Sequence, residues 1–410
     1  MTDFSRVCAY IDLDAAVHNM EQMHALVDPR TKLMAVVKTD GYGHGAIPLA
    51  RELEGLDYVY GFAVATAEEG LALRRDGRKK PILILGAAFE KQYDAILRAG
   101  LCPTVFSFEA AQALSKAAEQ AGVDARVHIK LDTGMGRIGF DPTEASVDAI
   151  ARIASLPHMM IEGIFTHLAR ADERDKTSAT EQIELFLRMT GALRERGIDI
   201  PLRHCSNSAG ILDLPGANLE LVRAGITLYG LHPSKEVHLE RMDMRPVLSL
   251  KSRIVHVKCV PAGTAISYGG TYVTEREQRI ATIPVGYGDG YARSLSNCGD
   301  VLICGRRAPI RGRVCMDQFM VDVTHIPEAG AGAEVTLIGA DGDDCITMEE
   351  LGDKSGRFNY EFACDLGKRI PRVFVRGGRG VLCWTQYEGL LDSCPQIEPQ
   401  RFMLPAGSAR

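Results

Sequence analysis

Eight short apolar runs, separated by stretches of helical composition, fill the first half of this chain and limit its fold more than any other feature. The runs are Leu33–Lys38, Tyr58–Ala65, Pro81–Gly86, Cys102–Phe106, Arg126–Asp132, Met160–His167, Pro201–Asn207 and Glu220–Gly225. Between them, Ala46–Glu54, Thr66–Arg75, Lys91–Ala99, Phe108–Ala121, Thr143–Ser155 and Thr177–Arg196 carry helical spacing or strong helix formers, and a short helix is predicted over Ser208–Leu212. Strands that alternate with helices pair in parallel. Eight such repeats over about two hundred residues predict a TIM-type (β/α)8 barrel. An open doubly wound sheet is the alternative, but it would need a dinucleotide-type glycine fingerprint opening the first helix, and none is present.

After Leu231 the texture changes. Pro233, Pro246 and Pro261 interrupt the chain, and apolar runs at Leu248–Val260, Arg279–Val285, Val301–Cys304, Met320–Val323 and Glu334–Ile338 are separated by Gly, Pro and Asp. A mostly β domain is expected there. The predicted organisation is a barrel over residues 1–235, with residues 1–10 packing with the β domain, a β domain over 236–388 and a loosely held tail over 389–410. The net charge of −6 and the lack of a basic stripe speak against nucleic acid as a partner. No run is long enough to cross a membrane, and the first residues do not read as a signal peptide. Eleven scattered cysteines without a C-x-x-C pair or zinc-type spacing suggest reduced thiols in a cytoplasm and no metal site.

In such barrels the chemistry sits at the C-terminal strand ends, with phosphate often bound after strands seven and eight. Lys38 ends the first run and is followed by Thr39-Asp40-Gly41-Tyr42-Gly43-His44-Gly45. A lysine above a dry strand floor has a depressed pKa and a usable free amine, which an aldehyde cofactor requires for a Schiff base. Most strand-end lysines simply reach into water, so the other rim residues matter. Arg137 lies among Gly134, Gly136 and Gly139, His167 ends the sixth run, Ser208 opens the short helix, and Arg223 lies in the eighth run. Singly, these residues read as a loop arginine, a core histidine, a helix N-cap and a salt-bridge partner. At the ends of parallel strands they converge on one rim, and a helix start is also an anion site.

Read in order, these segments resemble the alanine racemases, pyridoxal phosphate enzymes of fold type III. The likeness covers nearly all of residues 1 to 388. Its most specific stretch is Val36-Val37-Lys38-Thr39-Asp40-Gly41-Tyr42-Gly43-His44-Gly45. It continues in Asp132-Thr133-Gly134-Met135-Gly136-Arg137, Phe165-Thr166-His167, Asn207-Ser208 and Val222-Arg223-Ala224-Gly225-Ile226-Thr227-Leu228-Tyr229-Gly230. In the β domain it includes Ser267-Tyr268-Gly269-Gly270-Thr271, Pro284-Val285-Gly286-Tyr287-Gly288-Asp289-Gly290 and Gly312-Arg313-Val314-Cys315-Met316-Asp317.

The resemblance implies a reaction and a set of roles. Lys38 would carry pyridoxal 5'-phosphate, with Tyr42, Ser208 and the N–H groups of Gly225 and Ile226 on its phosphate. Asn207 and His167 would complete the cofactor site. Arg223 would face the pyridine nitrogen, and Arg137 the phenolic oxygen and the substrate. Tyr268, Tyr287 and Met316 would arrive from the partner of a homodimer with shared sites. Lys130 aligns with a lysine that some members carbamylate. Lys368 stands where some relatives place a second phosphate-binding tyrosine, and an ammonium lacks the rigid, directed donor of a phenol. The implied activity is interconversion of L-alanine and D-alanine by two bases on opposite faces of Cα, Lys38 for the D-isomer and Tyr268 for the L-isomer, supplying D-alanine for peptidoglycan. A serine or broader amino-acid racemase is the near alternative; a decarboxylase would need no second Cα base, and a non-catalytic cofactor-binding barrel would lack the β domain.

Overall fold

The computed structural model of the chain describes residues 6–392. Its first strand, β1 (Val7–Asp12), belongs to the later half of the molecule, pairing antiparallel with Leu248–Arg253 and parallel with Arg372–Arg376 in a nine-stranded sheet. Asp12 then caps the helix Leu13–Ala25 by accepting from the Ala15 N–H at 2.9 Å, and the chain crosses into the barrel.

The barrel strands are β2 (Lys32–Val36), β3 (Val59–Val64), β4 (Ile82–Ile84), β5 (Cys102–Val105), β6 (Ala125–Lys130), β7 (Met159–Phe165), β8 (Leu202–His204) and β9 (Leu221–Ala224). They pair in parallel in sequential order, and β9 returns to pair with β2, setting Met34 opposite Arg223. The ring is drawn together between β8 and β9 where the Arg223 N–H donates to Ser206 O at 3.1 Å. The expected α/β barrel is therefore the observed one. Local chemistry sets its helices: Ser107 caps Phe108–Ala121, which ends at Gly122, and Thr66 with Glu69 forms a capping box on Ala67–Arg75.

The second half is mostly strand, as expected, with two differences. The run Leu248–Val260 is two strands, Leu248–Arg253 and His256–Val260, in different sheets. A continuous apolar stretch does not reveal where a chain leaves one sheet for another. Two helices, Met348–Ser355 and Asn359–Asp365, lie beyond the last expected strand run of the domain read as mostly β. Gly389–Leu391 forms a further strand against Arg379–Thr385, while residues 1–5 and the remainder of the expected tail, 393–410, lie outside the described residues. Among the described residues no helix is long and apolar enough to cross a membrane.

The first apolar run does not end as expected. Its strand stops at Val36, and Lys38 opens a turn rather than closing a strand.

Candidate active site

Thr39, Asp40, Gly41, Tyr42 and Gly43 follow Lys38 with φ of 54°, 51°, 62°, 50° and 80°, one turn of left-handed helix. For the three non-glycine residues this conformation costs roughly 1–2 kcal/mol each, so surrounding contacts must impose it. Glu69 Oε1 accepts the Thr39 N–H at 2.6 Å, Asp40 Oδ1 accepts the Ala46 N–H at 2.9 Å, and Arg372 Nε donates to Gly43 O at 3.3 Å. Gly43 admits the second half of the molecule: a Cβ there would stand 2.3 Å from Ala363 O. Lys38 is thus held by strained backbone clamped from both halves of the chain. Burial, helped by Arg137, lowers its pKa and favours the neutral amine.

Opposite lies an anion cradle. Ser208 Oγ accepts from the N–H of Gly225 at 3.0 Å, the N–H of Thr227 at 3.3 Å and the Thr227 hydroxyl at 3.0 Å. A Cβ on Gly225 would sit 3.3 Å from Ser208 Oγ and 3.6 Å from Tyr42 Oη, so glycine keeps open a space bounded by two hydroxyls at the start of Ile226–Tyr229. Burial raises the Tyr42 pKa, so its phenol is a neutral donor. Ser208 is not the helix cap that its position suggested. Asn207 takes that place, its Oδ1 accepting the Gly210 N–H at 3.0 Å, which leaves Ser208 facing the cradle.

Arg223 is 3% exposed. Its Nη1 donates to His204 Nδ1 at 2.9 Å and His204 O at 3.1 Å, and its Nη2 to Thr166 O at 2.8 Å, Cys205 O at 2.9 Å and His167 Nδ1 at 3.3 Å. The Nε–H has no partner among the described residues. It is therefore not the salt-bridge arginine that an isolated reading suggested. A guanidinium donates only, so His167 Nδ1 is an acceptor and the ring's proton is on Nε2. Burial foremost, then Arg223 and Arg137, hold His167 well below its usual pKa.

Asp132 shapes the loop of Arg137. Its Oδ1 accepts the N–H groups of Gly134, Met135 and Gly136 at 3.0, 2.8 and 3.1 Å, and its Oδ2 that of Arg137 at 2.8 Å. Lys130 is 2% exposed and donates to Leu131 O at 2.6 Å and Ile138 O at 3.2 Å. Burial lowers its pKa to about 8.

Lys38, Tyr42, Arg137, His167, Ser208, Arg223, Gly225 and Ile226 thus gather at the barrel's C-terminal strand ends. Tyr268, Tyr287 and Met316 do not join them within one chain. They lie on the other half, 70%, 42% and 54% exposed, where the N–H groups of Tyr287 and Gly288 bond Cys315 O and Met316 O. Lys368 lines a cavity of about 360 Å3 with Thr39, Asp40, Glu69 and Cys364, and the lining includes none of Tyr42, Ser208 or Gly225. Glu69, Asp40 and Asp132, which set these positions, were not singled out from sequence. The Thr66-to-Glu69 spacing signals a capping box, but nothing local announces that the same carboxylate holds Thr39 thirty residues away.

The donor set fits pyridoxal phosphate: an amine that burial favours as neutral, neutral hydroxyl and N–H donors around an open cradle, and one free guanidinium N–H. The family description "Alanine racemase, N-terminal domain" matches residues 11–233, and "Alanine racemase, C-terminal domain" matches 247–374. The chain is similar to the alanine racemase of Halothermothrix orenii, 48% identical over 89% of this chain and 96% of that one. It is 44% identical to that of Methanococcus maripaludis over 90% of this chain and 98% of the relative. Among solved structures, the alanine racemase of Clostridium difficile 630 superposes with a TM-score of 0.89 at 39% identity, covering 93% of this chain and 98% of that one.

Proposed function

The chain belongs to the alanine racemase family and is an isomerase that interconverts L- and D-alanine; from that premise we propose how its residues divide the work. Pyridoxal phosphate is the proposed cofactor, and when bound it withdraws electrons from an attached amino acid and acidifies the Cα proton. Lys38 would hold it through Nζ. Tyr42, Ser208, Gly225 and Ile226 would hold its phosphate, Asn207 would fix Ser208 at the helix start, and Arg223 would offer its Nε–H to the pyridine nitrogen. Because arginine can donate a hydrogen bond but does not give up its proton, Arg223 would hold that nitrogen without protonating it.

Racemisation removes a proton from one face of Cα and returns one to the other. A single base would have to swing around the carbon, whereas two fixed bases need not move. Lys38 serves the D-isomer, its amine neutral because burial and Arg137 disfavour the ammonium. The partner subunit's Tyr268 would serve the L-isomer, taking the Cα proton as phenolate and becoming the phenol, and His167, with its proton on Nε2, would donate to that phenolate before the transfer. Arg137 orients the substrate carboxylate, and the partner subunit's Tyr287 and Met316 limit the space around the side chain. Lys130, once carbamylated, would give Arg137 a carboxylate partner. The observation that carries this reading is complementary incompleteness. One half of the chain gathers Lys38 and the cofactor-facing groups but no second base, and the other half exposes Tyr268, Tyr287 and Met316 on its surface.

The reading extends to a homodimer with two shared sites, to a division of the chain into a barrel over 1–235 and a β domain over 236–388, and, on the family's usual role, to cytoplasmic supply of D-alanine for peptidoglycan. Mixed refolding tests it. Lys38→Ala and Tyr268→Phe chains are each expected to be inactive alone. Refolded together, half of the dimers are mixed and contain one intact site, so about a quarter of wild-type racemisation returns. No recovery in mixed dimers shown to form would overturn the shared site.

A further inference from the structure

Arg223 is a buried cation with no carboxylate beside it, and none of the ion pairs among the described residues includes it. A buried guanidinium is costly unless compensation reaches it. Burial does press on this one, lowering its pKa to about 10. Two imidazoles connect it to an acid further down the barrel. Arg223 Nη1 lies 2.9 Å from His204 Nδ1, His204 Nε2 lies 2.9 Å from His128 Nδ1, and His128 Nε2 lies 3.8 Å from Glu162 Oε2.

The protons along this line have one consistent placement. Arginine can only donate, so His204 Nδ1 is bare and its proton is on Nε2. That N–H needs an acceptor, so His128 Nδ1 is bare and its proton is also on Nε2, directed at Glu162. Burial foremost lowers the pKa of both rings, which keeps them neutral, and His128 is the first cause that holds Glu162 in its anionic form. The packing is built for this line. The His204 ring stacks on Phe165 at 4.7 Å and 6°, and a Cβ on Gly163 would stand 2.5 Å from the His128 ring.

We propose that His128 and Glu162 are positioning residues for the racemase, fixing both tautomers and keeping the carboxylate at the end of the line, which Arg126 also faces at 3.8 Å, two imidazoles away from Arg223. The arrangement keeps Arg223 cationic and its Nε–H free, with no carboxylate close enough to hand a proton to a pyridine nitrogen. The functional part rests on the reading that Arg223 faces that nitrogen. The line also decides another question. Cys102, His128 and Glu162 bring ligand atoms within 4.8 Å of one another, the makings of a cation site. A cation there would have to displace the proton on His128 Nε2, and with it the tautomer that accepts from His204.

The test begins with proton positions in the wild-type holoenzyme, by neutron diffraction or imidazole 15N shifts. Protons on Nε2 of both His204 and His128, with no Zn2+ retained after dialysis against it, are expected. A proton on Nδ1 of either ring, or bound Zn2+, would overturn the line. Two variants then separate positioning from filling. His128→Gln keeps a carbonyl to accept from His204, whereas His128→Leu fills the space without one. His128→Leu is expected to lower kcat about tenfold, the worth of one hydrogen bond, with KM unchanged and with His204 shifted toward an Nδ1 proton, while His128→Gln stays within about threefold of wild type. Leu tolerated better than Gln would mean that the ring only fills the barrel. Glu162→Gln should lower kcat alone but add nothing to His128→Leu, and additive losses would refute a shared line. Wild-type turnover of alanine tests the functional reading separately, because the proton positions are read whatever the activity.

Discussion

Asp132→Asn is the most informative single change at the rim, because it removes one feature and keeps the shape. The carboxylate accepts four backbone N–H groups, three on Oδ1 and that of Arg137 on Oδ2. An asparagine oriented to serve the first three turns its NH2 toward the Arg137 N–H, donor against donor. A lost hydrogen bond to a charged group is worth about 1.5–3 kcal/mol. The loop is partly exposed, so the lower half of that range, about 2 kcal/mol, is the better figure. If the loss falls on the position of Arg137, kcat/KM for alanine drops about thirtyfold, chiefly through KM. Burial raises the Asp132 pKa, but the four N–H groups outweigh it and the pKa lies below the ordinary carboxylate range. Such a group stabilises the loop above its unfolded pKa and ceases to do so only as the pH falls through the lower folded value. The difference between wild type and variant should therefore be flat across neutral and alkaline pH. The assay is racemisation in both directions, with thermal unfolding alongside. Asp132→Asn should have little further effect in an Arg137→Leu background. A variant that melts earlier but keeps wild-type kcat/KM, or losses that add fully, would refute the claim that Asp132 acts through Arg137.

Four further outcomes follow from the same geometry. With a pKa of about 8, Lys130 has about a quarter of its amine neutral at pH 7.5, against about 0.1% for an ordinary lysine, so 13C-bicarbonate should yield a carbamate signal that grows from pH 6 to 9 and vanishes in Lys130→Ala. A lysine pKa depressed by folding also means that unmodified protein gains stability as pH rises from about 8 toward the ordinary lysine range; a fall over that window would contradict the buried amine. Gly43→Ala puts a Cβ 2.3 Å from Ala363 O at a φ of 80°, and should cost about 2–4 kcal/mol in thermal unfolding and weaken cofactor uptake; an unchanged melting temperature would show that the clamp is slack. Arg223→Glu offers a proton where arginine cannot, so alanine should yield more pyruvate per racemisation event, and an unchanged ratio would remove Arg223 from control of the cofactor.

By itself the sequence determined the barrel, because eight apolar runs with helices between them admit few other closures. It also determined the rim. Lys38, Arg137, His167, Ser208 and Arg223 all fall where parallel strands end, and that placement follows from chain order alone. It did not determine how these groups are held. Glu69 stands at a capping-box spacing from Thr66 and Asp132 at the end of the fifth apolar run; only folding brings the first to Thr39 and the second onto four N–H groups. It did not reveal the left-handed turn after Lys38, since Thr39, Asp40 and Tyr42 disfavour that conformation locally and accept it only under contacts from Glu69 and Arg372. It led to the expectation that residues 1–10 pack with the β domain, but not to the two strands, more than two hundred residues away, that β1 pairs with. The line from Arg223 to Glu162 is the extreme case. Its members come from β9, β8, β6 and β7, and a hydrogen-bond order that fixes protons exists only once the barrel has closed. Local pattern records where a side chain points along its own strand or helix. Which distant group completes its hydrogen bonds is decided by tertiary packing.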